Sequence, residues 1–466
     1  MRALIVASLR HRTALIASGL CMCLAVVALL IGTRPAPAIA ALPNDNVHLG
    51  VASCAGSTCH GRQIADGKIV RQDELARWQE PSTPGGAHSR AFAVLSEPRG
   101  RQIAARLGIG PATGAAECLG CHADYPAANL RGGQWRASDG VGCEGCHGGS
   151  QPWIASHYAI GGTHAANVAR GMVPLDRPAV KASVCLDCHF GSGDGGQFVT
   201  HRIMAAGHPR ISFELDLFST LQQHHNEDAD YAARKGRTNN VRVWAVGQAM
   251  ALDRALTLYA NPMIGTNGAF PELYFYDCHS CHRRIEDAAT FRPTVVDNPS
   301  RPVPPGTVPF NDENMIMLAA AAKIAAPALA ARLDADSRAF HRSNTESRAA
   351  AVAAGAKLRA TAQALAQAFG ATDFDRGQTL ALINTIAGEA ISPRFTDYAG
   401  SAQSVMAVDT LLNAMVSAGQ MPPGAAQAVR GDVNRAYAAV RDSNDYRPLE
   451  FRRALGGAVR TIGTLR

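Results

Sequence analysis

The sequence predicts a mainly α-helical fold in which a part made of short helices and loops is followed by an α-helical bundle. Three observations lead to this prediction. Cysteine and histidine motifs recur through the first part, which is also rich in glycine turns. Residues 310–466 contain no cysteine and only His341, but Ala, Leu, Met and Val recur there at helical spacing. Six prolines lie between Arg292 and Pro309 and predict a linker.

Ten of the 12 cysteines form five pairs, and a histidine directly follows each pair. Four pairs have the spacing C-x-x-C-H, whereas four residues separate the cysteines of the first pair. The five motifs are Cys54, Cys59 and His60; Cys118, Cys121 and His122; Cys143, Cys146 and His147; Cys185, Cys188 and His189; and Cys278, Cys281 and His282. This pattern is typical of covalent attachment of haem c.

The chemistry of attachment explains the spacing. Two thiols must reach the two vinyl groups on one edge of a porphyrin, and the next imidazole must bind the iron. Disulfides and zinc are the alternatives, but neither requires a histidine after every second cysteine. For the first motif, a Cys54–Cys59 disulfide remains open as an alternative to haem.

All five motifs fall within a short stretch of chain, so bulky porphyrins must supply much of its core and lie near one another. We therefore predict four regions: a signal peptide at residues 1–40, a haem-packed multihaem cytochrome domain at 41–291, a proline-rich linker at 292–309, and an α-helical domain at 310–466. About five haem c groups, with their iron, are the expected cofactors.

Some elements can be predicted individually. Apolar residues at helical spacing predict a longer helix over residues 241–259. Residues 211–217 alternate like a strand, yet Pro209 would also suit the start of a helix, so both interpretations stay open. Beyond residue 310 we expect five or six helices, broken near Gly370, Ser392-Pro393 and Pro422-Pro423.

The N-terminus has the order typical of a secretory signal. Arg2, Arg10 and Arg12 precede an apolar stretch over residues 13–32, and the segment ends in Ala38-Ile39-Ala40. We therefore expect cleavage after residue 40 and a periplasmic protein with no membrane span. An uncleaved membrane anchor is the alternative, because the apolar stretch is long enough to cross a bilayer.

The formal charge of +7 gives weak support for an acidic partner. Cleavage would remove Arg2, Arg10, Arg12 and Arg34, which lowers the charge to +3. Haem propionates would add roughly ten negative charges for five haems. With no concentrated Lys/Arg tract either, we expect no nucleic-acid partner.

An iron held by one imidazole has a sixth position, which a second histidine commonly fills in electron carriers. From their spacing and surroundings, five histidines are the favoured candidates for this role: His88, His157, His164, His201 and His208. His48, His224, His225 and His279 are less favoured. His224 and His225 stand near Glu227, Asp228 and Asp230, which suggests a solvated turn or a minor metal site.

Two stretches add a resemblance to a known family. They are D-G-V-G-C-E-G-C-H-G-G from Asp139 and T-H-R-I-M-A-A-G-H-P-R from Thr200. With the run of motifs, residues 45–290 resemble the cytochrome c-554 family of multihaem cytochromes. The resemblance implies electron carriers whose haems stack in close pairs, mostly with two histidine ligands. The founding type carries four haems and accepts electrons from a hydroxylamine-oxidising enzyme, whereas this chain offers five motifs.

The leading hypothesis is electron transfer between redox partner proteins through mostly bis-histidine haems. The alternative is a multihaem oxidoreductase in which one open haem acts on small nitrogen or sulfur species, assisted by Tyr158, His224 or His225. A haem motif with lysine in place of histidine would support that alternative, but the sequence contains none. A third hypothesis makes the helical bundle a docking module for the redox partner.

Overall fold

The computed structural model describes residues 46–68, 70–193, 196–265, 270–282, 301–304, 306–392 and 397–465 of the 466. The predicted signal peptide lies outside these residues, as do residues 292–300 and 305 of the predicted linker. Leu42–Arg466 forms one compact unit.

The described residues are mainly helical, which confirms the predicted fold class. Their eighteen α-helices are α1 (Glu74–Trp78), α2 (Pro98–Leu107), α3 (Ala116–His122), α4 (Glu144–His147), α5 (Ile154–His157), α6 (His164–Val168), α7 (Pro178–His189), α8 (His201–Ala205), α9 (Leu215–Leu221), α10 (Ala229–Lys235), α11 (Asn240–Ala260), α12 (Glu313–Ala325), α13 (Pro327–Ser343), α14 (Arg348–Gly370), α15 (Arg376–Ala390), α16 (Tyr398–Ser417), α17 (Ala425–Ala439) and α18 (Pro448–Thr464).

Short 3-10 helices connect many of these elements. They are Val51–Ser53, Pro84–Gly86, Ala93–Ser96, Ala112–Gly114, Ala128–Leu130, Ala137–Asp139, Leu273–Phe275, Cys278–Ser280 and Ser443–Asp445. Within the described ranges no strand forms, and β pairing is limited to two isolated bridges, His48 with Arg131 and Tyr276 with Phe310.

Three of the four C-x-x-C-H motifs lie at the carboxyl end of an α-helix whose last residue is the motif histidine. These helices are α3, α4 and α7. Cysteines three residues apart share a helix face, and the histidine follows one residue later. The helix end therefore directs both thiols and the imidazole to one side. The fifth motif has a 3-10 turn at Cys278–Ser280, and the first lies in a turn.

The central element is α11, which confirms the helix predicted over residues 241–259. The Asn239 side chain accepts a hydrogen bond from the Arg242 backbone N–H and so caps its start. Its residues are buried nearly all round, because α11 packs against α14, α7, α9 and α12. The predicted limits of the two parts remain a prediction, but α11 and the C-terminal helices share a core.

The undecided stretch at 211–217 leads into a helix. The Glu214 carboxylate accepts hydrogen bonds from the backbone N–H groups of Asp216 and Leu217, at 2.7 and 2.8 Å. This cap starts α9 at Leu215. Residues 211–214 therefore have no regular secondary structure and residues 215–217 are helical, so the alternation does not form a strand.

Seven helices, α12–α18, follow residue 310, where five or six were expected. Pro327 explains the difference, since it ends α12 and opens α13 at the position where proline suits a helix start. The predicted breaks are observed: α14 ends at Gly370, α15 ends at Ala390 and α17 begins at Ala425, two residues after Pro423.

Part of the predicted linker is fixed to the bundle by buried charges. The Arg301 guanidinium donates hydrogen bonds to the carboxylates of Asp312 and Asp397, and His341 lies 3.3 Å from Asp312. Arg301 opposes two carboxylates, so the desolvation cost of burying it is offset by paired charge. The chain at 301–304 is therefore held against α12 and α16.

Buried apolar residues are distributed unevenly along the chain. One large cluster runs from Ala182 to Ile462 and joins α7, α9 and α11 to the C-terminal helices. Before it, the described residues contain one small cluster: Leu95, Ala104, Ala112, Leu119 and Ala123. The region of the first three motifs thus has little apolar core of its own. Among the described residues, no helix combines the length and apolar character needed to cross a bilayer.

Candidate functional site

The ten motif cysteines all lie in the described residues, and none of them forms a disulfide. The Cys54–Cys59 disulfide is therefore absent from the structure. The zinc alternative gains no support either. In the part of the chain that the structure describes, two groups of three side chains have metal-binding geometry, and neither contains a cysteine.

Every motif histidine faces another histidine at a nearly constant distance. The ring centres are 6.0 Å apart for His60 and His157, 6.3 Å for His122 and His208, 6.3 Å for His147 and each of His224 and His225, 6.2 Å for His189 and His88, and 6.2 Å for His282 and His201.

This separation suits two imidazoles that bind one iron from opposite sides. Metal–nitrogen bonds of about 2 Å place the two ring centres about 6 Å apart. Direct stacking or edge contact would allow shorter distances, such as the 4.8 Å between His189 and Phe213. The residues therefore fit a bis-histidine haem at each motif.

Hydrogen bonds orient several of these imidazoles. Nδ1 of His60 donates to Glu74 Oε2 at 2.9 Å, Nδ1 of His122 donates to the Ala91 carbonyl at 2.7 Å, and Nδ1 of His208 donates to the Pro209 carbonyl at 2.8 Å. Because each acceptor fixes the proton on Nδ1, the lone pair of Nε2 stays available for a metal.

Burial keeps other imidazoles neutral, as metal binding requires. Burial, reinforced by the neighbouring His225 and His224, lowers the pKa of His147 to about 3. Burial and the nearby His88 lower the pKa of His189 to about 4. Both side chains are thus uncharged around neutral pH and offer a lone pair.

Neighbouring motifs contact one another. The thiols of Cys54 and Cys143 lie within hydrogen-bonding reach of each other, and so do those of Cys121 and Cys188. Cys188 Sγ also donates to the Gly120 carbonyl at 3.6 Å. The first motif therefore lies against the third, and the second against the fourth.

The structure brings four of the five favoured distal candidates to a motif histidine, namely His88, His157, His201 and His208. His88 lies in the turn before the 3-10 helix Ala93–Ser96, whereas His157 ends α5 and His201 begins α8. His201 and His208 are seven residues apart, a spacing of two turns that would place both on one face if a single helix contained them. Instead, α8 ends at Ala205, and the two side chains face different motifs.

His164 is not part of these pairs. Gly161 and Gly162 separate α5 from α6, so the seven-residue spacing from His157 does not span two turns of one helix. The side chain is 45% exposed and lies 3.3 Å from Asp176. Its role as a ligand remains a prediction that the observed placement does not favour.

At the third motif, the histidines opposite the motif histidine are ones that the sequence did not favour. His224 and His225 both lie opposite His147 and are half-buried. A solvated turn or a minor metal site was expected there, and the three histidines do form a group that could hold a metal ion. Glu74, which contacts His60, was also missed. No local signal identifies these residues, because Glu74 lies about 150 positions from His225 in the chain.

His48 and His279 have other surroundings. His48 is fully buried and donates through Nδ1 to Asp124 at 2.9 Å, beside the buried Glu144. His279 donates through Nδ1 to the Ser443 carbonyl at 2.8 Å. Both side chains therefore fix the chain beside a motif rather than facing a motif histidine.

The fifth motif is held by the C-terminal helices and the segments between them. Arg210 donates to Cys278 Sγ at 3.2 Å and lies 3.6 Å from Glu313 at the start of α12. The Asp277 backbone N–H donates to the Pro309 carbonyl at 3.0 Å. Sequence inspection treated residues 310–466 as separate from the motifs, but the structure makes them part of this site.

Part of the chain matches a known protein family. The model of the family described as cytochrome c554 and c-prime matches residues 53–148, which include the first three motifs. No curated protein matches significantly, and no solved structure does. The motifs, the paired imidazoles and the family match lead to one conclusion: the chain is a c-type cytochrome of electron transfer, with covalent haem c and its iron, and it resembles the cytochrome c554 family.

Proposed function

We propose that this protein transfers electrons through five covalently bound haems, each with its iron held between two histidines. The observation that carries the proposal is that each of the five motif histidines faces another histidine, with ring centres 6.0–6.3 Å apart. Four of them face one histidine each, and His147 faces two, His224 and His225.

Each residue type would have a separate task. The ten motif cysteines would form the thioether bonds. The motif histidines would bind one face of each iron: His60, His122, His147, His189 and His282. His157, His208, His88 and His201 would bind the opposite face at four sites, and His224 or His225 would do so at the site of His147.

Bound haem supplies a reversible one-electron change between ferric and ferrous iron. The chain would hold the rings in place, exclude water and tune each potential through burial and hydrogen bonds to the imidazoles. A sixth ligand at every iron leaves no position for a substrate. This favours electron transfer over the oxidoreductase alternative, which requires an open haem.

Contacts between motifs support a continuous order of sites. His208 belongs to the second site, and Arg210, two residues later, donates to Cys278 of the fifth motif. The second and fourth motifs meet at Cys121 and Cys188. The third and first meet at Cys54 and Cys143.

Cys185 and Cys146 are near neighbours, which supports a connection between the fourth motif and the third. The proposed order is therefore fifth, second, fourth, third, first. Neighbouring sites in such an order would exchange electrons without a mobile carrier.

We propose that the protein works in the periplasm and exchanges electrons with redox partner proteins, without nucleic acid. The N-terminal order of basic, apolar and small residues supports export. Cleavage after residue 40 would release the chain, and an uncleaved segment would tether it to the membrane.

The test is the haem content and spin state of the purified mature protein. Mass spectrometry should show five haems on one chain, and electron paramagnetic resonance of the oxidised protein should show only low-spin ferric iron. Fewer haems would contradict the proposed stoichiometry. A high-spin signal that shifts on adding nitrite or hydroxylamine would instead favour the oxidoreductase.

A further inference from the structure

Glu74 lies between two of the histidine pairs. It is the first residue of α1 and is only 6% exposed. Its Oε2 accepts the hydrogen bond from His60 Nδ1 at 2.9 Å, and its Oε1 lies 3.7 Å from His225 Nδ1. One buried carboxylate thus contacts a histidine of the first site and a histidine opposite His147 of the third site.

Further contacts join the same two chain segments on either side of Glu74. The Asp73 carboxylate accepts from Asn226 Nδ2 at 3.2 Å, and Arg77 Nη2 donates to Asn226 Oδ1 at 2.5 Å. Arg71 donates twice to Asp228 Oδ2, at 2.9 and 2.5 Å. Four residues of segment 71–77 therefore contact three residues of segment 225–228, and these contacts hold His225 against Glu74.

The surroundings of His224 and His225 differ in a way that matters for metal binding. Nδ1 of His224 lies 3.3 Å from both the Gln222 carbonyl and the Gln222 side-chain nitrogen, so its proton can sit on either ring nitrogen. Nδ1 of His225 faces the Glu74 carboxylate, which can only accept. At 3.7 Å this contact is longer than a hydrogen bond, but the negative charge favours a proton on Nδ1 of His225, which leaves the lone pair on Nε2.

We propose that Glu74 is a positioning residue shared by two iron sites, which orients His60 and His225, selects His225 over His224 as the imidazole opposite His147, and lowers the midpoint potentials of both sites. This inference rests on the proposed bis-histidine haems. Within the described residues, the histidines that Glu74 contacts are His60 and His225, so the effect is expected at the first and third sites.

The charge of Glu74 determines the direction in which the midpoint potentials should shift. A carboxylate that accepts the Nδ1 proton increases the electron density of the imidazole, and a negative charge nearby favours ferric over ferrous iron. The Glu74 carboxylate is itself buried, so solvent screens its charge only weakly. Removing the charge should raise two midpoint potentials and leave three near their original values.

The experiment uses the full-length, haem-loaded protein with the substitution Glu74→Gln. Redox titration followed by optical spectroscopy should show two potentials raised. The expected shift is about tenfold in the ferrous-to-ferric ratio at a fixed potential, or about 59 mV for a one-electron couple. Glu74→Asp, which keeps the charge, should shift them less. Glu80→Gln is the matched control, because the Glu80 carboxylate binds only Ser82 among described partners.

A second pair of variants tests the choice of ligand. His225→Gln should produce a high-spin ferric signal in electron paramagnetic resonance, whereas His224→Gln should leave the spectrum low-spin. The reverse result would overturn the selection of His225. Unchanged midpoint potentials in Glu74→Gln, or a shift at one site alone, would overturn the proposal that Glu74 acts on both sites.

The unmodified protein separates this inference from the proposal on which it rests. If that protein lacks five low-spin haems, the proposed function fails before any variant is compared. If it has them and Glu74→Gln behaves like Glu80→Gln, only the role of Glu74 fails.

Discussion

His157 and His164 carry the same side chain seven positions apart, yet their surroundings differ. His157 ends α5 and stacks 6.0 Å from His60, whereas His164 begins α6 and lies beside Asp176. The glycine turn at 161–162 separates them. Identity and spacing alone therefore do not decide which histidine faces a motif.

This difference gives a matched pair of variants. His157→Ala should remove one ligand of the first site, so one of the five low-spin ferric signals should be replaced by a high-spin signal. His164→Ala should leave the spectrum unchanged, because its ring faces an exposed carboxylate. Electron paramagnetic resonance of the oxidised protein makes the comparison. High-spin iron in the His164 variant, with none in the His157 variant, would contradict the assignment.

At the level of single residues, the sequence identifies those whose chemistry depends on their immediate neighbours in the chain. A cysteine pair followed by histidine is recognisable wherever it stands, because attachment depends on local spacing. His88, His201 and His208 could be proposed, but their partners could not. Glu74 and His225 could not be linked at all, since contacts across about 150 residues arise only from folding.

At the scale of the elements, α11 packs closely against α9 at Gly247. A β-carbon added there would lie 2.5 Å from Cβ of Leu215, the first residue of α9. Helix–helix contacts of this kind need a residue without a side chain. Gly247 therefore allows α9 to approach α11.

We expect Gly247→Ala to lower the free energy of unfolding by about 1–3 kcal/mol, because the methyl group overpacks this contact. Gly388→Ala in α15 is the control, since a β-carbon there would meet no atom within 4 Å. That variant should be neutral or stabilised by about 0.5–1 kcal/mol. Denaturant unfolding of the haem-loaded proteins measures both, and equal losses would refute the packing argument.

The long helices were predictable because their apolar periodicity and breaking residues act over many positions. The helix over 241–259 and the breaks near Gly370 and Pro423 agree with the structure. The short helices α4, α5 and α8 were not predictable individually. Such elements contain too few residues to show a period, and tertiary contacts decide their ends.

At the scale of the whole molecule, α7, α9 and α11 share one apolar core with the C-terminal helices. Residues of α11, such as Trp244 and Leu256, are buried in the cluster that includes α14. Truncation after Pro304 would remove α12–α18 and expose this surface. The sequence suggested a linker here, but proline content reports local stiffness and not which surfaces are covered.

We therefore expect the truncated chain to give little soluble protein, with fewer than five haems on what remains, whereas the full-length chain expressed in parallel carries five. Exposed apolar surface of this extent favours aggregation. Size-exclusion chromatography and haem-to-protein ratios test this. A soluble truncated protein with five haems and unchanged electron exchange would show that the C-terminal helices are dispensable.

The contacts around the fifth motif also constrain biosynthesis. His279 is tied to Ser443, and Arg210 bridges Cys278 and Glu313, so residues far toward the carboxyl end surround this motif in the folded chain. Enzymes that form thioether bonds need both thiols within reach. We expect them to act on Cys278 and Cys281 before the last helices close, so that haem attachment sets the timing of the final folding step.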